Sequence, residues 1–182
     1  IITVTVLSEQ AEYMLEADYG FNRESIVNVN LQGNDYNTFK HKLEGNTNIL
    51  NISGSNLNPA TGSNSAINII RHGEDPAKDL QTHYLAIDDN FIANLELEII
   101  AGRTFTLETP TTQESQVIIN ETGARKLGWN NPLDALGESI SLSPDNPEQY
   151  PTQIIGIVKD FHYMELTRPI GSLLLRYRPD RI

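Results

Sequence analysis

Alternation of apolar and polar residues is the main structural signal in the first third of the chain. Residues 26–31 read Ile-Val-Asn-Val-Asn-Leu, a pattern that predicts a β-strand with one buried face. Asp35 follows a Gly-Asn turn and is placed to cap a helix over residues 36–44. The apolar run at residues 49–53 predicts a second strand, so this part of the chain is expected to form a β-α-β unit.

Apolar runs separated by turn residues dominate the rest of the chain. Residues 54–65 are rich in Ser, Asn, Gly, Pro and Thr, which predicts a long connection. The predicted strands that follow cover residues 67–71, 81–87, 97–100, 117–120, 140–142, 152–158 and 173–177. Gly156 lies inside a β-branched run, which predicts a bulge or the close approach of another backbone segment. Because strands are frequent and helices short and irregularly placed, the expected fold class is α+β rather than a doubly wound parallel sheet.

Short helices are predicted between some of these strands. One covers residues 90–95, and Asp88 or Asp89 is its expected N-cap. Another covers residues 121–127 and is expected to end at Gly128, because glycine readily adopts the left-handed conformation that closes a helix.

The N-terminal residues have two interpretations. Residues 8–18 have helical spacing, with Ser8 as a plausible N-cap and Gly20 beyond the end of the helix. Residues 1–7 are apolar and β-branched, which fits a first strand. They fit equally the last turns of a transmembrane helix, and the sequence leaves both interpretations open.

Composition narrows the functional classes. The chain of 182 residues has 24 acidic and 13 basic residues, for a net charge of −11. Such an acidic surface argues against nucleic-acid binding and against adhesion to anionic lipid. The C-terminal stretch is an exception, because it contains Arg176, Arg178 and Arg181. The absence of cysteine excludes disulfides and thiolate metal sites.

Motifs of catalysis and metal binding are weak. The Ser-Gly-Ser-Asn sequence at residues 53–56 lacks the second glycine of a hydrolase nucleophile elbow. No glycine-rich phosphate loop occurs. The histidines have no spacing typical of a metal site; they are His41, His72, His83 and His162. Helix capping explains the Asp-Asp-Asn sequence at residues 88–90 better than calcium binding does.

Two further features have a structural and a functional interpretation. Asp160 and His162 are two residues apart at a strand end, so their side chains could share a face and touch as an acid–base pair. No nucleophile accompanies them, and a polar turn explains them better. Trp129 is expected to pack over the edge of the core at a helix end, with an exposed binding residue as the alternative. We therefore predict no catalytic, cofactor-binding or metal-binding residues.

A set of short motifs in fixed order resembles a known family. The motifs are Tyr-Gly-Phe-Asn-Arg-Glu at 19–24, Ala-Gly-Arg-Thr-Phe at 101–105, Ile-Asn-Glu at 119–121, Leu-Gly-Trp at 127–129, Leu-Gly-Glu at 136–138 and Val-Lys-Asp-Phe-His at 158–162. Together they cover essentially the whole chain. This order is similar to that of the MacB-like periplasmic core domain of FtsX-like ABC transporter permeases, most of all those of Bacteroidetes-type bacteria. The Gly-Phe-Asn-x-Glu opening resembles the second of two such domains in a permease with duplicated halves.

The resemblance implies a fold of two subdomains within one core domain at residues 1–182. A discontinuous porter-like part would comprise residues 8–58 together with 150–182. A strand-rich, sabre-like part would be the insertion at residues 59–149.

The resemblance also implies a function. The domain would be non-catalytic and would relay ATP-driven motion of transmembrane helices to the export or extraction of a substrate outside the inner membrane. It would lie on the periplasmic side of a membrane-anchored protein. Its partners would be a cytoplasmic ABC ATPase and a second permease protomer. The ATPase would be a separate chain or domain, because no nucleotide-binding motif occurs here. A stand-alone periplasmic ligand-binding module is the alternative, and a hydrolase is a weaker one.

Overall fold

The computed structural model describes residue 14 and residues 17–111, 114–142 and 150–182. Residues 1–7 and most of the helix predicted at 8–18 lie outside the described residues. The strands are β1 (Ser65–Arg71), β2 (Leu80–Ile87), β3 (Ile99–Gly102), β4 (Gln116–Asn120), β5 (Ser139–Leu142), β6 (Thr152–Val158) and β7 (Leu173–Tyr177). The α-helices are α1 (Tyr36–Leu43), α2 (Phe91–Asn94) and α3 (Glu121–Lys126), and short 3₁₀ turns cover Pro76–Lys78, Pro132–Ala135 and Pro179–Arg181.

The seven strands form one mixed sheet in the order β3-β6-β4-β7-β2-β1-β5. The pairs β2–β7 and β4–β6 are parallel, and the other pairs are antiparallel. β5 pairs with β1 along one edge and with the start of β6 along the other, through Ser139 opposite Gln153. Six strands therefore form a closed ring of pairings, to which β3 is attached through β6. A mixed sheet with few helices is consistent with the predicted α+β class.

Apolar side chains pack on both faces of this sheet. Alternate residues of each strand point to opposite faces, so Val117 and Ile119 belong to one cluster and Ile118 to the other. The first cluster, on what we call the inner face, includes Ile69, Val117, Ile119, Ala124, Trp129, Ala135, Ile140, Leu142, Ile154, Ile157 and Leu174. The second, on the outer face, includes Leu85, Ile87, Phe91, Ile92, Leu95, Leu97, Phe105, Ile118, Phe161, Leu173 and Leu175. Strands from both predicted subdomains contribute to the same sheet, and the division into subdomains stays a prediction.

Trp129 packs at the edge of the inner-face cluster, as predicted. Only 6% of its surface is exposed. The guanidinium of Arg71 lies over its ring, 4.6 Å from the centroid. The alternative of an exposed binding aromatic is therefore wrong.

Gly156 confirms the predicted close approach of another backbone segment, and Gly102 makes a similar contact. The register of β4 against β6 shifts next to Gly156, and a Cβ atom there would lie 2.6 Å from the carbonyl oxygen of Arg103. Gly102 has a φ of +81° at the end of β3. A Cβ atom on Gly102 would collide with the carbonyl oxygen of Ile155. The turn at residues 101–105 can therefore lie directly against β6.

The predicted β-α-β unit is wrong except for its helix. Asp35 accepts a hydrogen bond from the Thr38 amide at 2.7 Å and caps α1, as expected. Residues 26–31 and 49–53 do not form strands, and Val27 is 85% exposed. Asparagine side chains bind neighbouring amides instead, for example Asn30 to the amide of residue 32. Such local bonds compete with strand pairing. The alternation of apolar and polar residues was therefore not sufficient to predict a strand.

Candidate functional site

The Ile-Asn-Glu and Val-Lys-Asp-Phe-His motifs meet where the parallel strands β4 and β6 end side by side. Asn120 is completely buried there. Its Nδ2 donates to Asp160 Oδ1 at 2.7 Å and to the carbonyl of Gly171 at 2.8 Å. Its Oδ1 accepts from the amides of Gly123 at 2.9 Å and Leu173 at 2.8 Å. This one side chain thereby links β4, β6, β7 and α3, using all of its usual hydrogen-bonding capacity.

Asp160 receives several donors from α3. Its Oδ1 accepts from the amide of Thr122 at 3.0 Å, and its Oδ2 from the Thr122 hydroxyl at 2.7 Å. The Arg125 guanidinium lies 3.7 Å from the same carboxylate. The backbone amide of Asp160 donates to Glu121 at 3.2 Å. Because its oxygens are occupied by structural donors, Asp160 is poorly placed to accept a proton from a substrate.

His162 faces a different neighbour. Its backbone amide donates to the carbonyl of Tyr19 at 2.8 Å, and its ring packs edge-on to the Tyr19 ring. The structure therefore does not bring Asp160 and His162 together as an acid–base pair. It agrees with the interpretation of this stretch as a polar turn.

A second polar network lies in the interior beside β2 and β7. The hydroxyl of Tyr163 lies 2.9 Å from His83 Nδ1 and donates to the carbonyl of Ser172 at 3.1 Å. The hydroxyls of Ser172 and Thr82 are hydrogen-bonded to each other. Burial, with smaller contributions from the charges of Arg168 and Lys126, lowers the pKa of His83. Ser172 is only 4% exposed, so this grouping is not an accessible nucleophile site. Sequence reasoning missed it because His83 and Ser172 are far apart in the chain.

Asp88 is a buried anchor and not a helix cap. The N-cap of α2 is Asn90, which makes no side-chain capping bond, so the predicted capping role of Asp88 and Asp89 is wrong. Asp88 is 2% exposed and accepts a hydrogen bond from the Tyr36 hydroxyl at 2.5 Å. Lys40 adds a contact at 3.4 Å. Burial, strengthened by the bond to Asp88, raises the pKa of Tyr36. The pair fastens α1 to the end of β2.

The Tyr-Gly-Phe-Asn motif contacts the Asp-Phe-His motif across a shallow groove of about 520 Å³. Gly20 has a φ of +76°, and a Cβ atom there would lie 2.9 Å from the Cβ of Phe161. The backbone amide of Asn22 donates to the carbonyl of Leu95 at 2.8 Å, and its side chain donates to Glu96 at 3.0 Å. We call residues 17–22 the N-terminal strap. The strap is attached both to the loop after β6 and to the segment between α2 and β3.

The three C-terminal arginines converge on a second concave surface. It has a volume of about 450 Å³ and is lined by Asn56, Tyr84, Ala86, Arg176, Arg178 and Arg181. Sequence inspection singled out these arginines but predicted no site, because the opposing wall comes from β2 and from the loop before β1.

Neither a metal centre nor a membrane span is evident in the described ranges. No group of three His, Asp or Glu residues within them is placed to hold a metal ion. None of the helices there has the length and apolar character needed to cross a bilayer.

Comparison of the sequence matches the chain to no protein-family profile and to no curated protein. Comparison of the fold does find similar solved structures. One is the extracellular domain of the noncanonic ABC-type transporter YknZ from Gram-positive bacteria, with a TM-score of 0.50 at 18% identity, covering 75% of this chain and 59% of that one. Another is a domain of a putative permease from Porphyromonas gingivalis, with a TM-score of 0.50 at 15% identity, covering 75% and 54%. A third is the periplasmic region of MacB from Actinobacillus actinomycetemcomitans, with a TM-score of 0.49 at 16% identity, covering 86% of this chain and 68% of that one.

The chain thus shares its fold with the extracellular domain of the ABC-type transporter YknZ and with a domain of a putative permease. The resemblance that the motifs indicate is confirmed at the level of the fold. The chain spans little more than half the length of the first two solved domains, 59% and 54%.

Proposed function

We propose that this chain is the extracytoplasmic domain of an ABC-type permease and that it transmits movement without catalysing a reaction. The observation that carries the proposal is the shared fold. It is found for a chain whose motif order resembles that of MacB-like permease domains. The hydrogen-bonded state of Asp160, the most promising acid–base residue in the sequence, supports a non-catalytic role.

The contacts of the N-terminal strap suggest how movement would reach the domain. Tyr19 and Gly20 contact the loop after β6, and Asn22 contacts residues 95 and 96. Displacement of the strap would therefore act on the end of β6. From there the Asn120–Asp160 bond connects to β4, α3 and β7. A ring of paired strands resists shear, so it would move as one body in a hinge-like transition.

The wider setting of this role is part of the proposal. Transmembrane helices would join the domain to a cytoplasmic ABC ATPase, and a second permease protomer would complete the transporter. The domain would lie on the periplasmic side of the inner membrane and take part in export or extraction of a substrate. The division into porter-like residues 8–58 with 150–182 and sabre-like residues 59–149 stays part of the proposal, although strands of both parts pair within the one ring.

The flanking sequence and a coupling assay test the proposal. Bilayer-length apolar segments are expected on both sides of the domain in the full-length protein. In that protein, reconstituted with its ATPase, Asn22→Ala is expected to lower substrate movement per ATP hydrolysed while leaving ATP hydrolysis intact. Asn68→Ala is the matched control, because it removes an exposed bond of similar length, to Asp79 at 2.6 Å, far from the strap.

Two outcomes would contradict the proposal. A cleavable signal peptide before the domain and a stop codon after it would favour the stand-alone ligand-binding module. If the Asn22→Ala and Asn68→Ala proteins move the same amount of substrate per ATP hydrolysed, the strap contacts do not transmit movement.

A further inference from the structure

The concave surface lined by Arg176, Arg178 and Arg181, which we call the arginine groove, lies beside strands β2 and β7. β2 and β7 are parallel neighbours there, with Ala86 opposite Arg176. Because Arg176 also pairs with Val117, an inner-face residue, its side chain points to the inner side of the sheet. Asn56 closes the third side by accepting a hydrogen bond from the Ala86 amide at 2.8 Å. The groove walls therefore belong to the sheet and to a loop tied to it.

Carboxylates behind the groove hold two of the arginines in place. Arg176 binds Glu114 through Nε at 2.6 Å and through Nη2 at 2.5 Å, and its guanidinium lies 4.6 Å from the centre of the Tyr84 ring. Arg178 binds Asp180 through Nε at 2.9 Å and Nη2 at 2.8 Å. Neither carboxylate residue lines the groove. The guanidinium groups are thus oriented in advance, which reduces the entropy lost when a ligand binds.

The groove is positive although the chain is acidic. Its lining contains three arginines and no acidic residue, whereas the whole chain has a net charge of −11. Glu114 and Asp180 behind the wall reduce the local charge but leave an excess of one positive charge. Each guanidinium has five N–H donors. Arg176 uses two nitrogens for Glu114, and Arg178 uses two for Asp180 while its Nη1 lies 3.7 Å from Glu114. Each Nη carries two N–H groups, so not every donor of either arginine is occupied. Donors therefore remain for a ligand oxygen.

Stabilisation of the C-terminus explains only part of this arrangement. It accounts for the bidentate pairs of Arg176 and Arg178, which tie β7 to residues 114 and 180. It does not account for Arg181, whose side chain is 69% exposed and lies 3.5 Å from an Asp180 already bound by Arg178. Arg181 lines the same groove as the other two.

We propose that this groove binds a phosphate group. A phosphate presents more acceptor oxygens than a carboxylate, and arginine forks match it in geometry, so several guanidinium groups can share one phosphate. The phosphate could belong to a soluble phosphate ester or to a phospholipid head group. This inference goes beyond the transport role and does not depend on it.

Titration with inorganic phosphate tests the site directly. The arginine Nε–H signals of the 182-residue chain are followed by NMR as phosphate replaces chloride at constant ionic strength. Saturable shifts are expected for Arg176 and Arg178. Arg181→Gln is expected to weaken binding about tenfold, the effect of losing one hydrogen bond between charged groups.

A matched variant separates binding in the groove from non-specific electrostatic attraction of phosphate to the protein. Arg168 is similarly exposed, at 61%, and pairs with Glu165 outside the groove, so Arg168→Gln removes the same charge elsewhere. It is expected to leave the phosphate affinity unchanged. Shifts that do not saturate, or an equal loss of affinity in both variants, would overturn the proposal.

Vesicle flotation identifies the source of the phosphate once saturable binding is established. Vesicles of phosphatidylcholine are compared with vesicles that also contain phosphatidic acid. If the protein floats only with vesicles that contain phosphatidic acid, and Arg181→Gln reduces the floated fraction, the site binds a lipid head group. No recovery with either would assign it to a soluble phosphate ester.

Discussion

The side-chain amide of Asn120 donates to Asp160 at 2.7 Å and so joins the end of β4 to the loop after β6. These residues lie 40 positions apart in the chain and belong to two different motifs. Their contact gives both motifs a structural role. Each supplies half of a buried network on which three strands and one helix depend.

Asn120→Ala is expected to destabilise the protein strongly. The substitution leaves the amides of the buried residues Gly123 and Leu173 without their acceptor, at a cost of about 3 kcal/mol in the free energy of unfolding. Urea denaturation measures the loss. Asn68→Ala, which removes a solvent-exposed bond to Asp79, is the control and should change stability by less than about 0.5 kcal/mol. Similar losses in the two variants would show that the network is not important for stability.

Two glycines separate the effect of backbone conformation from that of close packing. Gly102 and Gly137 have nearly equal φ values, +81° and +86°. A Cβ atom on Gly102 would collide with the Ile155 carbonyl, whereas one on Gly137 meets nothing within 4 Å. Gly137→Ala is expected to cost about 1 kcal/mol and Gly102→Ala several times more. Thermal unfolding of both variants tests this, and equal losses would contradict the close approach at the turn of residues 101–105.

A double-mutant cycle tests the anchor of α1. Tyr36→Phe removes the donor to a carboxylate that is 98% buried, since Asp88 is 2% exposed, and is expected to cost about 2 kcal/mol. With Asp88→Asn, the two changes should be non-additive by more than about 0.5 kcal/mol, because the residues are in contact. Asp89→Asn is the control and is expected to be nearly neutral. A larger loss from Asp89→Asn than from Asp88→Asn would restore the helix-capping interpretation.

Stability is expected to fall on mild acidification because of His83. Burial lowers the pKa of His83 in the folded state, so the unfolded chain takes up a proton at a higher pH than the folded protein does. The resulting loss begins as the pH falls through about 6.5, the ordinary histidine pKa, and levels off below the folded-state pKa. Urea midpoints measured from pH 8 to pH 5 should decline less for His83→Asn than for the unsubstituted protein. Parallel profiles of the two proteins would show that His83 does not contribute to the pH dependence of stability.

Local sequence pattern determined most of the regular structure. The predicted strand at residues 173–177 is β7, and the strand at 152–158 is β6, each with the predicted bounds. Both are apolar runs that become buried on both faces of the sheet, and such runs are recognisable without knowledge of their neighbours. The Asp35 cap is local as well, because its hydrogen bond joins residues three positions apart in the chain.

Only the tertiary structure decided which strands pair and which polar groups find partners. The alternating residues 26–31 have the pattern of a strand but form no strand, so Val27 and Val29 stay exposed. Conversely, Asp88 becomes a buried anchor through Tyr36, 52 positions away, and Arg176 meets Glu114 across 62 positions. Hydrophobic periodicity reflects the burial of single segments, whereas ring closure, anchors and grooves depend on contacts between distant segments. The sequence by itself therefore determined the segments and the resemblance, and the fold decided how they combine.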